Sequence, residues 1–250
     1  MKTKILHTLL SLTVLLTFWY LLSLTAPRYL FPDPYMVLLG FVDLILHKNL
    51  VWNLLVTLAR VTTGFILGVL IGFLLGSLFL YSRVVRDIVY PLVAFIVVIP
   101  SFAFIPLLMI WIGLNDWLVI IGIIICTSFP LIYALISSYK YIDKRLLELT
   151  ILHGLRGRKL YFKVILPLSI THIATILRYE AGHSWRLGFV TEYLALSNGL
   201  GALMLYAYST LRVDQVIALI ITIGTLTLIF QKIIDKIETK ILKKWHLLLD

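Results

Sequence analysis

Four stretches of the chain run without a single Asp, Glu, Lys or Arg: Ile5–Ala26, Val61–Ser82, Ile88–Asn115 and Trp117–Tyr139. Each is long enough to cross a bilayer, which takes about 20 apolar residues as α-helix. Two further apolar stretches with few charges follow, near 168–195 and 213–235. The pattern predicts an all-α, polytopic membrane protein, one transmembrane domain over 1–250. Its six spans lie near 5–26, 54–80, 88–111, 117–139, 168–195 and 213–235, with a polar insert at 140–166. Tyr193–Leu211 is also uncharged, but Ser197-Asn198-Gly199 is a turn signal. It is read as a helix end, a turn and a short second helix near the outer surface. Lys2 and Lys4 resemble the start of a secretory signal. The uncharged run behind them exceeds a signal's apolar core of about 7–15 residues, and no A-x-A-like site follows, so it is read as a span.

Composition agrees. The chain of 250 residues is 61% hydrophobic and 14% charged, with a mean hydropathy of +1.02, whereas soluble domains carry about 25% charged residues. The charges also fall unevenly. With the N-terminus inside, the inner segments collect Lys2, Lys4, Arg83, Arg86, the basic residues from Lys140 to Lys163 and those from Lys232 to Lys244. The outer loops keep Arg28, Lys48 and Arg212. Cytoplasmic loops are the ones enriched in Lys and Arg, so both termini are expected in the cytoplasm. The net charge of +10 then faces anionic lipid headgroups or an acidic partner.

Within the spans, small residues and prolines stand out. Gly64, Gly68, Gly72 and Gly76 recur every four residues in the second span and share one helix face. Small residues let membrane helices approach closely, so this stripe predicts tight packing. Pro91, Pro100 and Pro106 punctuate the third span, as packing curvature or as a mechanically useful kink. The fifth span carries Arg178, Glu180, His183, Arg186 and Glu192, with Trp185 among them. Ionisable groups at membrane depth face a polar cavity or each other. Arg178, Trp185 and Glu192 are seven apart on one stripe, and His172, Tyr179 and His183 lie on a different face, with Arg186 nearby. Two readings stay open: a polar translocation pathway, or structural pairing with other helices.

The segment ELTILHGLRGRKLYFKVILP, Glu148 to Pro167, is basic and helix-like in an otherwise oily chain. Asp143 suits a helix N-cap. Leu146, Leu149 and Leu152, with Leu147 and Ile151, make an apolar face at helical spacing, and Gly154 suits a C-terminal stop. A second short helix from about Arg156 to Val164 leads to Pro167. Such an insert could lie on anionic lipid or plug into a partner's groove. Nucleic-acid binding is discounted, since no reading motif or stacking pattern accompanies it. The single cysteine, Cys126, is read as a small packing residue, and no disulfide framework exists. The chain has no Walker A loop, G-x-S-x-G or H-x-x-x-H pattern, so no metal site or catalytic residue is expected.

Glu148, Gly154 six residues on, then nine residues and Val164-Ile165-Leu166-Pro167 resemble the EAA loop of ABC importer permeases, E-A-A, three residues, G, nine residues, I-x-L-P. Leu149-Thr150 replace the two alanines, and Val164 the isoleucine. LARVTTGFILG, IPSFAFIPLLMIWIG and the set Arg178, Gly182, Trp185, Glu192, Gly199 and Gly201 are similar to the nitrate/sulfonate/taurine branch; Glu180 and Arg186 look like additions. The resemblance implies a type I importer permease (MetI-like) fold in the cell membrane, working as a dimer, here a homodimer. It implies no enzymatic activity and no cofactor on this chain, with ATP and Mg held by a separate ATP-binding subunit. Glu148, Leu149, Leu152, Gly154, Leu166 and Pro167 would form the coupling contact with that subunit, and an extracytoplasmic solute-binding protein would deliver a small solute. The competing expectation is an ion- or proton-coupled transporter with Glu180, His183 and Glu192 as a relay.

Overall fold

The computed structural model describes residues 2–81, 83–138 and 142–244, and among the described residues there is no strand. The helices are α1 (Lys2–Ser23), α2 (Pro34–His47), α3 (Leu50–Tyr81), α4 (Arg83–Val98), α5 (Ile105–Ile112), α6 (Asp116–Ser138), α7 (Lys144–Leu152), α8 (Gly157–Leu160), α9 (Leu166–Ala195), α10 (Leu200–Ser209) and α11 (Val213–Lys244). A 3-10 turn, Ser101–Phe104, separates α4 from α5, and a π turn, Tyr161–Ile165, joins α8 to α9.

Among the described residues, three stretches are long and apolar enough to cross a membrane alone: Leu50–Phe79, Asp116–Ser138 and Val213–Lys240. Two bent pairs meet the same test together, Val84–Val98 with Ser101–Ile112 at 93° and Gly157–Ser169 with Ile173–Ala195 at 56°. α1 has 22 residues, about 33 Å of helix, but it does not meet this test, its stretch Leu9–Ser23 ranking among the shorter apolar helices. Residues 88–111 are thus not one gently kinked helix. The break falls at Pro100, whose ψ of 124° leaves the helical region, and Ile99 before it is pushed the same way by the proline ring. Pro91 is accommodated inside α4. Pro106 opens α5, where its missing N–H leaves no hydrogen bond unmade.

The chain forms two compact units, Met1–Val56 with Glu192–Thr225, and Thr57–Thr191 with Leu226–Asp250. In the second, the glycine stripe of α3 lies against α6. A Cβ built on Gly64 would stand 2.8 Å from Ile123 Cβ, and on Gly68 2.8 Å from Thr127 Cβ. On Gly72 it would stand 2.9 Å from the Ser128 carbonyl oxygen, and on Gly76 2.6 Å from Leu135 Cδ1. No side chain fits between the two helices from Gly64 to Gly76, roughly three turns, and the outer face of α3 presents Leu70, Leu74 and Leu78. Val61, Phe65, Ile123, Leu131, Leu135, Trp185 and Phe230 are buried within this unit. Phe230 meets both Phe65 and Trp185 edge to face, with centroids 5.4 and 6.0 Å apart, an arrangement the ring quadrupoles favour.

The first unit is tied by polar contacts. Asp33 caps α2, its Oδ1 accepting the Met36 N–H at 2.8 Å. Asp43 accepts from Gln215 Nε2 at 2.7 Å and pairs with His47 at 2.8 Å. Lys48 donates to the Tyr206 hydroxyl at 2.8 Å and stands 4.4 Å above that ring's centroid.

Candidate functional site

The basic insert is built as two arms around a small core of its own. Asp143 Oδ1 accepts the Arg145 N–H at 2.9 Å and starts α7. The helix ends at Gly154, φ +83°. There the Gly154 N–H bonds the Ile151 carbonyl at 2.9 Å, and the Leu155 N–H bonds the Thr150 carbonyl at 3.1 Å. This is the paired 5→2 and 6→1 bonding of a Schellman stop, which needs the left-handed residue. Ile142, Leu147, Tyr161 and Ile165 form the buried core between the arms, with Leu166 packed against it. Pro167 lies in the first turn of α9.

Burying Leu147 on one side leaves the rest of the apolar face of α7 outward. Leu152 is 81% exposed and Leu149 54%, with Leu146 and Ile151 beside them. Glu148 is exposed as well. A contiguous apolar surface on a well-capped helix is the mark of an interaction site.

Along α9 the structure gives Arg178, Glu180, His183 and Glu192 partners, while Arg186 is exposed. Arg178 forks onto Glu238, Nε to Oε2 at 3.1 Å and Nη2 to Oε1 at 2.8 Å, and also meets Asp235 at 2.8 Å. It joins α9 to α11. Trp185 is buried against Phe230. Glu192 is fully buried, and its Oε2 accepts the Gly201 N–H at 3.2 Å. Asn53 Oδ1 accepts the Gly199 N–H at 2.7 Å, so Glu192 and Asn53 hold the turn between α9 and α10. Gly199 has φ +102°, and a Cβ there would collide with the Glu192 carboxylate. The stripe of Arg178, Trp185 and Glu192 therefore ties helices and a turn together.

Glu180 and His183 come together instead. Glu180 is buried, with its Oε2 3.2 Å from His183 Nδ1. Cys126 of α6 joins them, its Sγ 3.1 Å from His183 Nδ1. Ser101, in the turn after Pro100, places its Oγ 3.1 Å from His183 Nε2. Ser101, Cys126 and His183 line a cavity of about 270 Å³ with Pro100, Phe104 and Phe129. Cys126 is thus a member of a polar cluster, not the plain packing residue its surroundings in sequence suggest.

Residues 68–243 match the family described as the binding-protein-dependent transport system inner membrane component. The chain belongs to this family. It is 36% identical over 193 residues, 77% of this chain and 72% of the relative, to a protein of Methanocaldococcus jannaschii named as an ABC transporter permease. To the taurine transport system permease protein TauC of Escherichia coli it is 28% identical over 249 residues, 94% of this chain and 88% of the other. In structure it is similar to a chain of the MetNI methionine ABC transporter in inward-facing conformations, with a TM-score of 0.58 and 18% identity over 78% of this chain and 95% of that one. The fold is that of a MetI-like importer permease.

The permease is accordingly a multi-pass component of the inner membrane with no catalytic role, and ATP is hydrolysed by a partner ATPase. Family membership sets aside the ion-coupled transporter built on a Glu180–His183–Glu192 relay. Two features of the permease escape a reading of the sequence. Arg60, buried in α3, bonds Asp116 at the start of α6, Nε to Oδ1 at 3.0 Å. Ser101 and Cys126 join Glu180 and His183 from separate segments. Both are contacts between distant positions, and no local spacing announces them.

Proposed function

We propose that this permease is one half of a homodimeric translocation unit for a small anionic solute of the sulfonate class. It is driven by a separate ATPase seated on the insert between Asp143 and Pro167. The single observation that carries the coupling assignment is the outward apolar face of Leu146, Leu149 and Leu152 on a helix capped at both ends. A lipid-surface helix would need only that face and its basic neighbours. The rigid Schellman stop and the internal core at Leu147 and Tyr161 support a shaped plug for a protein groove instead. Glu148, Gly154, Leu166 and Pro167 then serve to set the direction of the plug relative to α9.

Six spans, α1 included, with both termini and the insert in the cytoplasm, complete this reading; the strand of support is the Lys and Arg asymmetry. His183 borders the cavity and, with Glu180 bonded to it, belongs to the solute path, whereas Arg178 ties α9 to α11, Trp185 packs on Phe230 and Glu192 holds the turn before α10. Similarity to the taurine permease supports the solute class. An extracytoplasmic binding protein delivers the solute.

Leu149→Asp with Leu152→Asp tests the coupling contact. In a co-expressed complex the doubly substituted permease should reach the membrane at wild-type level yet fail to retain the ATPase subunit on affinity purification, and uptake should be lost. Retention of the subunit with normal uptake would defeat the proposal. Taurine and alkanesulfonate binding to the partner binding protein tests the solute class separately; a ligand without an anionic group would remove it.

A further inference from the structure

The cluster at Cys126, Glu180 and His183, two of its members assigned above to the solute path, also carries the donor atoms of a metal site. One ligating atom from each residue, a thiol sulfur, a carboxylate oxygen and an imidazole nitrogen, lies within 4.8 Å of the other two. His183 Nδ1 is 3.1 Å from Cys126 Sγ and 3.2 Å from Glu180 Oε2, and the sulfur is 3.8 Å from that oxygen. A tetrahedral zinc-class ion, with bonds of about 2.0–2.3 Å, holds such ligand atoms roughly 3.4–3.6 Å apart. The three atoms already stand within a few tenths of an ångström of one coordination shell.

The ring is also oriented for it. Nε2 of His183 meets Ser101 Oγ at 3.1 Å. The tautomer protonated at Nε2 donates to this hydroxyl and leaves the Nδ1 lone pair aimed between thiol and carboxylate. An outer hydrogen bond of this kind is what fixes a metal-bound histidine.

Charge gives an independent reason. Glu180 and Cys126 are 2% and 5% exposed, and an unpaired ionised group in such surroundings is costly. A thiolate, a carboxylate, a neutral imidazole and a divalent cation sum to zero. Thiolate and imidazole together select zinc-like ions over magnesium or calcium.

We propose that Cys126, Glu180 and His183 form a site for one zinc-class divalent cation, its fourth position open to the cavity beside Ser101. Binding releases the thiol proton to solvent. The ion would join α6 to α9, and Ser101 would draw the turn between α4 and α5 to the same point. The site depends neither on the identity of the solute nor on coupling through the insert.

Co²⁺ is the probe. The full-length permease, purified in detergent in metal-free buffer, is titrated with Co²⁺ and followed by absorption. Cys126 is the only cysteine of the chain, so a sulfur-to-cobalt charge-transfer band can come from no other residue. The expected result is such a band saturating at one ion per chain and bleached by Zn²⁺. Cys126→Ser should abolish it, and Glu180→Gln should weaken Co²⁺ binding about tenfold or more, both in protein that elutes as wild type on gel filtration. The wild-type titration decides alone if a variant fails to fold: no band with Co²⁺ in large excess overturns the site. A band of unchanged affinity in Glu180→Gln overturns the three-ligand arrangement.

Discussion

Arg178 and Glu238 meet as a two-pronged pair between α9 and α11, with N–O distances of 3.1 and 2.8 Å. Glu238 is buried while the Arg178 side chain is half exposed, so the two partners have unequal stakes in the bond. Removing Arg178 strands a buried carboxylate, although Asp235 shares the guanidinium. Arg178→Ala should cost about 1–2 kcal/mol, discounted for the exposed arginine. Arg178→Lys should recover little, because an ammonium cannot make the fork. Adding Glu238→Ala to Arg178→Ala should cost less than the sum of the two single changes. Thermal unfolding in detergent measures this; strict additivity would mean that the pair contributes nothing.

The glycine stripe makes a graded prediction. Gly72→Ala places a methyl group against the Ser128 backbone, which has no flexible end to move aside. It should destabilise the permease by about 1–3 kcal/mol. Gly224→Ala is the matched control, since nothing lies within 4 Å of a Cβ there; it should be neutral or slightly stabilising. Equal melting shifts for the two would show that close approach of α3 to α6 is unimportant.

At Gly154 the surroundings and the backbone ask different things. A Cβ would meet nothing within 4 Å, yet φ is +83°. Size is therefore irrelevant and handedness decides. Gly154→Asn, which tolerates the left-handed region, should retain most of the captured ATPase subunit, whereas Gly154→Val should lose it. Both replacements binding equally well would contradict the proposed role of the stop.

Orientation is checked with a membrane-impermeant thiol reagent. Cys126 is buried and should stay unlabelled in intact cells, as should Arg158→Cys in the insert. Arg28→Cys should label. Labelling of position 158 from outside would invert the topology.

Acid should loosen the first unit. The Asp43 carboxyl is held below its ordinary range, chiefly by its hydrogen bond with His47 and further by Arg212 and Gln215, against the opposing effect of burial. A lowered folded-state value stabilises above the unfolded carboxylate pKa of about 3.9 and loses that contribution as pH falls through the folded value. Wild type should therefore lose more stability than Asp43→Asn between neutral and strongly acidic pH. Parallel melting curves for the two across that range would refute the linkage.

What the sequence discloses here is what local spacing can encode. The four-residue glycine period, the N-cap at Asp143, the stop at Gly154 and the turn at Ser197–Gly199 all involve neighbours within a few residues, and all recur in the structure. Proline was a weaker guide. Three prolines share one apolar run, and only Pro100 breaks it, because whether neighbours can absorb a lost hydrogen bond is a tertiary matter. The partners of Arg178 lie on α11, and Cys126 reaches Glu180 from 54 positions away. Hydropathy reports that a charge sits deep in the membrane and is silent on what it touches.

Gly64, Gly68, Gly72 and Gly76 also restrict movement. Two helices in backbone contact over that length cannot roll about their axes, because rolling α3 would swing Leu67 or Phe65 into a space too narrow for any side chain. Sliding is blocked as well, since Ile123, Thr127 and Leu135 flank the stripe like teeth of a rack. α3 and α6 therefore behave as one stiff beam, and whatever motion carries a solute across must be absorbed at joints elsewhere, such as the 93° elbow at Pro100, the sharper of the two bends within apolar spans among the described residues.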